Sequence, residues 1–400
     1  KIKMKKLIKL IFGFLFFLII KSLSLFFQIR LGKFPSDRIG PFITTVEILE
    51  AKKKEMNIKS IDFWSHNKAL EPNKFLGKLV SRQLLFVNHH IYNCINTFLD
   101  FFKFNAKKQL FLLRPSTRDT HNLFDKYPST LKFKDDEIEH AQKILQKQNI
   151  DLSKKIVCIN VRDSEYLKRI FPNKDMSYHD RRDAEVNDYI EVIKYLLSKD
   201  YVVVRMGKFM NHEVNLKDKN FIDYPFVNYQ DDILDIFFGY VCEFTISTGS
   251  GWDSVPFCFR KPILYTNMSS YSKIQLSSKK HMTLFKLAKN REGQYLKINE
   301  LLNYDLKLIS NIEKKNNNIF SELEYISNTE KDLMDATLEF EQYLKNDYKL
   351  SVLQKDFQKR FFLKYDPTLV KDIYGEPAHS NEIKGVISSR FLQNNENILF

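Results

Sequence analysis

Residues 245–256 read Thr-Ile-Ser-Thr-Gly-Ser-Gly-Trp-Asp-Ser-Val-Pro, the most informative segment of the chain. An apolar run, Phe244-Thr245-Ile246, breaks into a turn of small residues, and a helix start is expected after it. Gly249 and Gly251 let backbone come close to a ligand. N–H groups at a helix start favour an anion such as a phosphate. The chain has 11 glycines in 400 residues, so two within three positions indicate a local need. The plain alternative is an ordinary strand-to-helix turn of the same composition.

The flanking sequence repeats this strand-and-helix rhythm. Residues 156–161 are a β-branched run, residues 183–199 carry helical periodicity, and residues 201–206 read as a strand. Residues 231–241 open with acids suited to a helix N-terminus. A strand at 244–247, a short helix at 252–260 and a strand at 262–266 follow. Nearer the N-terminus the pattern predicts a strand at 27–31, a helix at 39–55, a strand at 60–65, an aromatic-rich helix over 79–104, a short strand at 111–113 and a helix at 135–149. Strands alternating with helices predict an α/β fold with mostly parallel sheets. Ligands of such sheets lie beyond the carboxyl ends of the strands. Residues 313–318 form a polar linker, Thr329 and Asp332 have capping-box spacing, and residues 350–400 read as partly helical.

Four hundred residues imply roughly two domains, and 44% hydrophobic content with 28% charge describes a folded chain. The net charge of +14 invites a nucleic-acid reading, but its distribution opposes one. Residues 1–38 hold nine basic groups against one acid, so that segment alone carries +8. Lysines beside an apolar helix match anionic lipid headgroups better. The charge-free core of that helix, residues 10–20, is shorter than the roughly 20 residues that span a bilayer. The expectation is therefore an in-plane anchor on the cytoplasmic face of the inner membrane, with a single spanning helix as the alternative. The four cysteines form no Cys-x-x-Cys pair and read as buried free thiols.

The polar clusters fall at the expected strand ends. Residues 156–161 lead into Arg162-Asp163-Ser164-Glu165-Tyr166, where Arg162 is suited to a phosphate. Asp163 either holds it or acts as a base; a surface salt bridge is the bland alternative. Arg205, just before Met206 and Gly207, needs a phosphate or a carboxylate such as Asp223. In the loop 175–187, His179 and Asp180 are the acid/base candidates, while Asp183 is a helix-cap candidate. Asp231-Asp232 sits where a helix dipole explains it, so no metal site is expected.

Taken in order, several segments resemble a family of bacterial surface-polysaccharide glycosyltransferases, and more distantly the fucosyltransferase superfamily of GT-B fold. They are Ser36-Asp37-Arg38-Ile39-Gly40, Val161-Arg162-Asp163-Ser164-Glu165-Tyr166-Leu167, Arg182-Asp183-Ala184, Val204-Arg205-Met206-Gly207, Ile222-Asp223-Tyr224-Pro225, Thr248-Gly249-Ser250-Gly251 with Asp253-Ser254, and Phe391-Leu392-Gln393-Asn394-Asn395. The resemblance covers about residues 27–400. After the membrane-associating helix expected at 1–26, it implies an acceptor-side Rossmann-like domain at 27–150, a nucleotide-sugar domain at 151–310, and a linker with helices at 311–400 that return to the first domain. The two domains are expected to face a cleft. Donor contacts are implied for Arg162, Thr248, Gly249, Ser250, Gly251 and Ser254, with Arg38 and Gly40 on the opposite wall. Asn160, Tyr166, Arg182, Arg205, Gly207, Asp223 and Asp253 complete the expected substrate-binding set.

The implied activity is sugar transfer from a nucleotide-sugar to a glycan or lipid-linked acceptor, inverting and independent of metal or other cofactor. Asp163, His179 or Asp180 would serve as the base. Two departures stand out: the family pattern has His where this chain has Pro41, and His where it has Asn160. They motivate the alternative of a non-catalytic nucleotide-sugar binder or scaffold of the same fold.

Overall fold

A computed structural model describes residues 2–35, 37–103, 112–113, 118–271, 274–313, 323–345, 348–364 and 383–400. Ser36 and most of the linker at 313–318 lie outside them. The chain divides into two compact units: residues 1–118 with 127–133, and residues 119–126 with 134–400.

Unit 1 contains α1 (Ile2–Leu23), β1 (Gln28–Lys33), α2 (Ile39–Glu55), β2 (Ser60–His66), α3 (Lys74–Val80), β3 (Leu85–Asn88), α4 (His89–Phe101) and β4 (Leu112–Leu113). Its described strands pair in parallel in the order β3-β2-β1-β4. The single helix expected over 79–104 is instead a turn, a strand and a helix. Leu-Phe-Val suits either state locally, and the open edge of β2 decides for a strand. Arg30 on β1 pairs through Nε with Asp62 on β2 at 2.7 Å. Glu47 of α2 is buried and accepts from the Thr130 and Leu131 amides at 2.9 and 2.8 Å, which ties the segment 127–133 to this unit.

Unit 2 contains α5 (Asp135–Gln146), β5 (Ile156–Asn160), α6 (Glu165–Ile170), a 3-10 turn (Ser177–Arg182), α7 (Ile190–Ser198), β6 (Val202–Arg205), β7 (Phe221–Asp223), α8 (Asp232–Val241), β8 (Phe244–Ser247), α9 (Ser254–Cys258) and β9 (Ile263–Met268). There follow β10 (His281–Phe285), β11 (Leu287–Lys289), α10 (Ile298–Glu313), β12 (Glu324–Ile326), α11 (Glu330–Tyr343), α12 (Val352–Lys364), β13 (Val386–Ile387), α13 (Ser389–Asn394) and α14 (Glu396–Leu399). Its main sheet runs β13-β10-β9-β8-β5-β6-β7, every described pairing being parallel. Every residue of β5, β6, β8, β9 and β10 is buried, as continuous apolar strands covered on both faces require.

Helices supply that cover. α8 starts on Asp231, whose carboxylate accepts from the Ile233 amide at 2.9 Å, and it buries Ile233, Leu234, Ile236, Phe237 and Phe238. Each such side chain contributes about 1.5–3 kcal/mol of transfer free energy. α5 packs on α8, and α11 packs on α7. α11 begins in the expected capping box, Thr329 with Asp332.

One boundary differs from the expectation. Residues 135–146 belong to unit 2, not to the first domain, because their apolar face meets α8. The final helices are part of unit 2: β13 extends the sheet beside β10, and α13 packs on α11. Among the described residues no helix is long and apolar enough to cross a membrane.

Candidate functional site

The tips of β5 and β8 lie side by side, with Asn160 opposite Ser247. Asn160 Nδ2 donates to Ser250 Oγ at 2.5 Å and approaches Ser247 Oγ at 3.4 Å. The Thr248 amide donates to the Asn160 carbonyl at 3.1 Å, and the Arg162 amide donates to Thr248 Oγ1 at 2.9 Å. The amide of Asn160 thus occupies the position where the resemblance has an imidazole, and its work is to brace the turn.

Gly249 has φ +77°, and a Cβ there would lie 2.9 Å from Met268 Sδ. This position favours glycine for its left-handed backbone, and an added carbon would also make the end of the Met268 side chain shift. Ser247 Oγ accepts from the Gly249 amide at 3.2 Å and donates to Asp253 Oδ2 at 3.0 Å. Asp253 is buried, and desolvation lifts its carboxyl to about 7 against the opposing hydrogen bond from Ser247 and the charge of Arg182.

Cations from three places gather around the loop before α7: Arg162 after β5, Arg182 in the loop itself and Lys286 after β10. Arg162 donates from Nη1 to the His179 carbonyl at 3.1 Å and pairs with Asp183. Arg182 donates from Nη2 to the Gly249 carbonyl, and its Nη1 lies 3.5 Å from His179 Nδ1. Lys286, just after β10, is 4% exposed and donates to the Asp183 carbonyl at 2.5 Å. Burial pushes its ammonium down to about 8, and the Arg162 charge acts in the same direction. Three cationic side chains therefore surround one loop, tied to the tips of two neighbouring strands.

Several sequence expectations change here. Arg205 does not join this group. It is 1% exposed, its Nη1 lies 3.1 Å from Asp223 Oδ2, and it donates to the His212 carbonyl at 2.9 Å. Asp223 stands opposite Arg205 in the β6–β7 register and also accepts the Val214 amide at 2.7 Å. The carboxylate, not a ligand phosphate, answers the charge of Arg205. Asp163 uses Oδ1 to accept the Glu165 amide at 3.0 Å and Oδ2 to accept the Asn211 amide at 2.9 Å. Its carboxylate shapes the turn rather than serving as an open base.

Asp183 is a partner of Arg162 rather than a helix cap, since α7 proper begins at Ile190. Gly207 makes room for Met210, whose Sδ would lie 2.7 Å from an added Cβ. α9 has five residues, so its dipole is weaker than the expected helix would supply. Ser254 opens that helix, and Gly251 before it is exposed.

Of the other expected residues, Tyr166 stacks on Phe209 at 6.2 Å between ring centroids, and Asp180 is exposed. Arg38 is the exposed residue before α2, and Gly40 is buried in its first turn; both belong to unit 1. Pro41 sits in that same turn, where a missing N–H costs nothing. Lys286 went unnoticed in the sequence. Its only signal there is a lone cation closing the apolar run Met282-Thr283-Leu284-Phe285.

No family model matches the chain, and no curated protein matches it. Solved structures do. The glycosyl transferase family 9 protein from Veillonella parvula is 12% identical with a TM-score of 0.47, covering 78% of this chain and 97% of its own. The ADP-heptose LPS heptosyltransferase II of E. coli is 12% identical with a TM-score of 0.41, covering 72% and 99%. The iron-containing dodecameric glycosyltransferase TibC of enterotoxigenic E. coli is 14% identical with a TM-score of 0.30, covering 62% and 59%. At these scores the likenesses assign no activity, and the chemistry rests on the site itself.

That site offers two guanidinium groups, a glycine turn and one imidazole. Guanidinium forks suit phosphate oxygens. The imidazole of His179 has the chemistry of a general base.

Proposed function

We propose that unit 2 binds the diphosphate of a nucleotide-sugar, and that the chain transfers the sugar to a hydroxyl of a glycan or lipid-linked acceptor in surface-polysaccharide synthesis. The observation that carries this reading is the linkage of Arg162 and Arg182 to the β5 and β8 tips through Thr248 and Gly249. The Arg182 guanidinium is fixed on the left-handed glycine turn, and that of Arg162 is held by the His179 carbonyl and Asp183, at the edge of a parallel sheet where ligands bind. The sequence motifs supply the substrate class.

In this reading the two arginines stabilise the charge that develops on the departing diphosphate. The acceptor oxygen forms its bond to the anomeric carbon as the bond to the diphosphate oxygen breaks, inverting that centre. His179 takes the acceptor proton, since both oxygens of Asp163 are already engaged. No step calls for a metal or another cofactor.

One observation favours a second reading, a nucleotide-sugar binder without turnover. Asn160 stands where the resemblance has a histidine, and its amide is committed to Ser250. The two readings separate in a transfer assay with UDP-, GDP-, CMP- and dTDP-sugars and lipid-linked acceptors. Release of the nucleotide product that disappears in His179→Ala supports the transferase. Saturable donor binding with no release supports the binder.

A further inference from the structure

Between its flanking lysines helix α1 is apolar on both faces, and among the described residues one face meets protein. Leu10, Phe16, Phe17 and Ile20 pack against a cluster of Leu31, Ile95, Phe98 and Leu99. Gly13 seats this contact: a Cβ there would lie 2.7 Å from Phe98 Cβ and closer still to the Cys94 carbonyl. The helix is thus a fixed wall of unit 1, laid along α4. Its outer side carries Ile8, Ile11, Phe12, Leu15, Leu18 and Ile19, each between 43% and 55% exposed. Such a continuous apolar surface is not left to water, and a helix that is hydrophobic all round has an apolar neighbour on every side.

The charges name that neighbour. On a helical wheel Lys5 falls at one border between the two faces and Lys21 at the other, while Lys9, exposed near the start of the helix, lies just inside the first border. Lys6 reaches back over the Phe101 ring at 5.4 Å. No acid occurs between residues 1 and 36. Lysines flanking a buried apolar stripe place their ammonium groups at headgroup level, where anionic lipids attract them. The charge-free segment, residues 10–20, extends only about 16 Å at helical rise, against a hydrocarbon core of about 30 Å. The chain after α1 continues the apolar surface with Leu25, Phe26 and Phe27, all exposed.

We propose that unit 1 rests on an anionic bilayer through the outer face of α1, with the helix lying in the membrane plane as a rigid part of the fold. This stands independently of the chemistry proposed for unit 2. The geometry distinguishes it from a flexible tether and from a spanning helix, since the inner face is already used by α4.

The test is co-sedimentation of the full chain with phosphatidylcholine vesicles, with and without phosphatidylglycerol. Binding is expected to require the anionic lipid. It should fall at least about tenfold in Ile11→Glu/Leu15→Glu with an unchanged unfolding temperature, because neither side chain touches the core. Lys5→Glu/Lys9→Glu should weaken binding through the charge alone. In Met4→Trp, Leu15→Trp and Leu23→Trp variants, brominated lipids should quench all three indoles at one shallow depth. Sedimentation that is indifferent to the glutamates, or a quenching depth that increases from one end to the other, overturns the proposal. So does a stable dimer in lipid-free light scattering that Leu15→Glu dissociates, since a second copy of the chain would then cover the face.

Discussion

The Arg182 guanidinium donates to the Gly249 carbonyl, joining the loop ahead of α7 to the turn that follows β8. This bond turns two strand tips and a loop into one structure. Replacing Arg182 with Ala should lower nucleotide diphosphate affinity by about 10–100-fold, the worth of a charge-assisted contact. Arg182→Lys should recover only part of it, since an ammonium has no fork. Calorimetric titration reads both.

Gly249→Ala should destabilise the chain by about 1–3 kcal/mol, because its backbone is left-handed and the added carbon meets Met268. Urea unfolding checks this. Gly251→Ala should be nearly neutral: Gly251 is exposed and is not among the glycines with positive φ.

Arg205 is a structural charge in this account. Arg205→Met leaves Asp223 buried without its counter-ion and should cost about 3–5 kcal/mol. The double change Arg205→Met/Asp223→Leu should recover much of that loss. Nucleotide affinity, measured well below the unfolding temperature, should be unchanged in the double variant.

Asp253 gives unfolding a pH signature. Its carboxyl titrates near 7 when folded and at its ordinary 3.8 when unfolded, because burial disfavours the charge. Between those values the folded chain holds a proton that the unfolded chain has released. Its contribution to stability is therefore complete below pH 4, declines as pH rises to about 7, and is flat above. The loss is on the order of a few kcal/mol. Asp253→Asn should remove that slope, as read from thermal midpoints across pH 4–8.

The fold was legible where local and long-range signals agree. The buried β-branched run at 156–160 and the acid-capped, then apolar, residues 231–241 have one stable outcome each. Residues 85–88 were not legible, because only pairing with β2 makes them a strand. The site was half legible. Arg162 and residues 248–250 follow from strand-tip logic. Arg205 misled because a buried arginine at a strand end has the same sequence signature whether it awaits a ligand or already holds a carboxylate from the next strand. Lys286 was invisible because its partner, the Asp183 carbonyl, is 103 residues away.

The most direct test is titration of UDP, GDP, CMP and dTDP sugars into the native chain and into Arg162→Ala and Arg182→Ala, followed by calorimetry. The account predicts saturable binding of at least one nucleotide class, weakened at least about tenfold in each variant while folding is retained. Binding that both variants keep at full strength would contradict it, as would a native chain that binds none of the four classes.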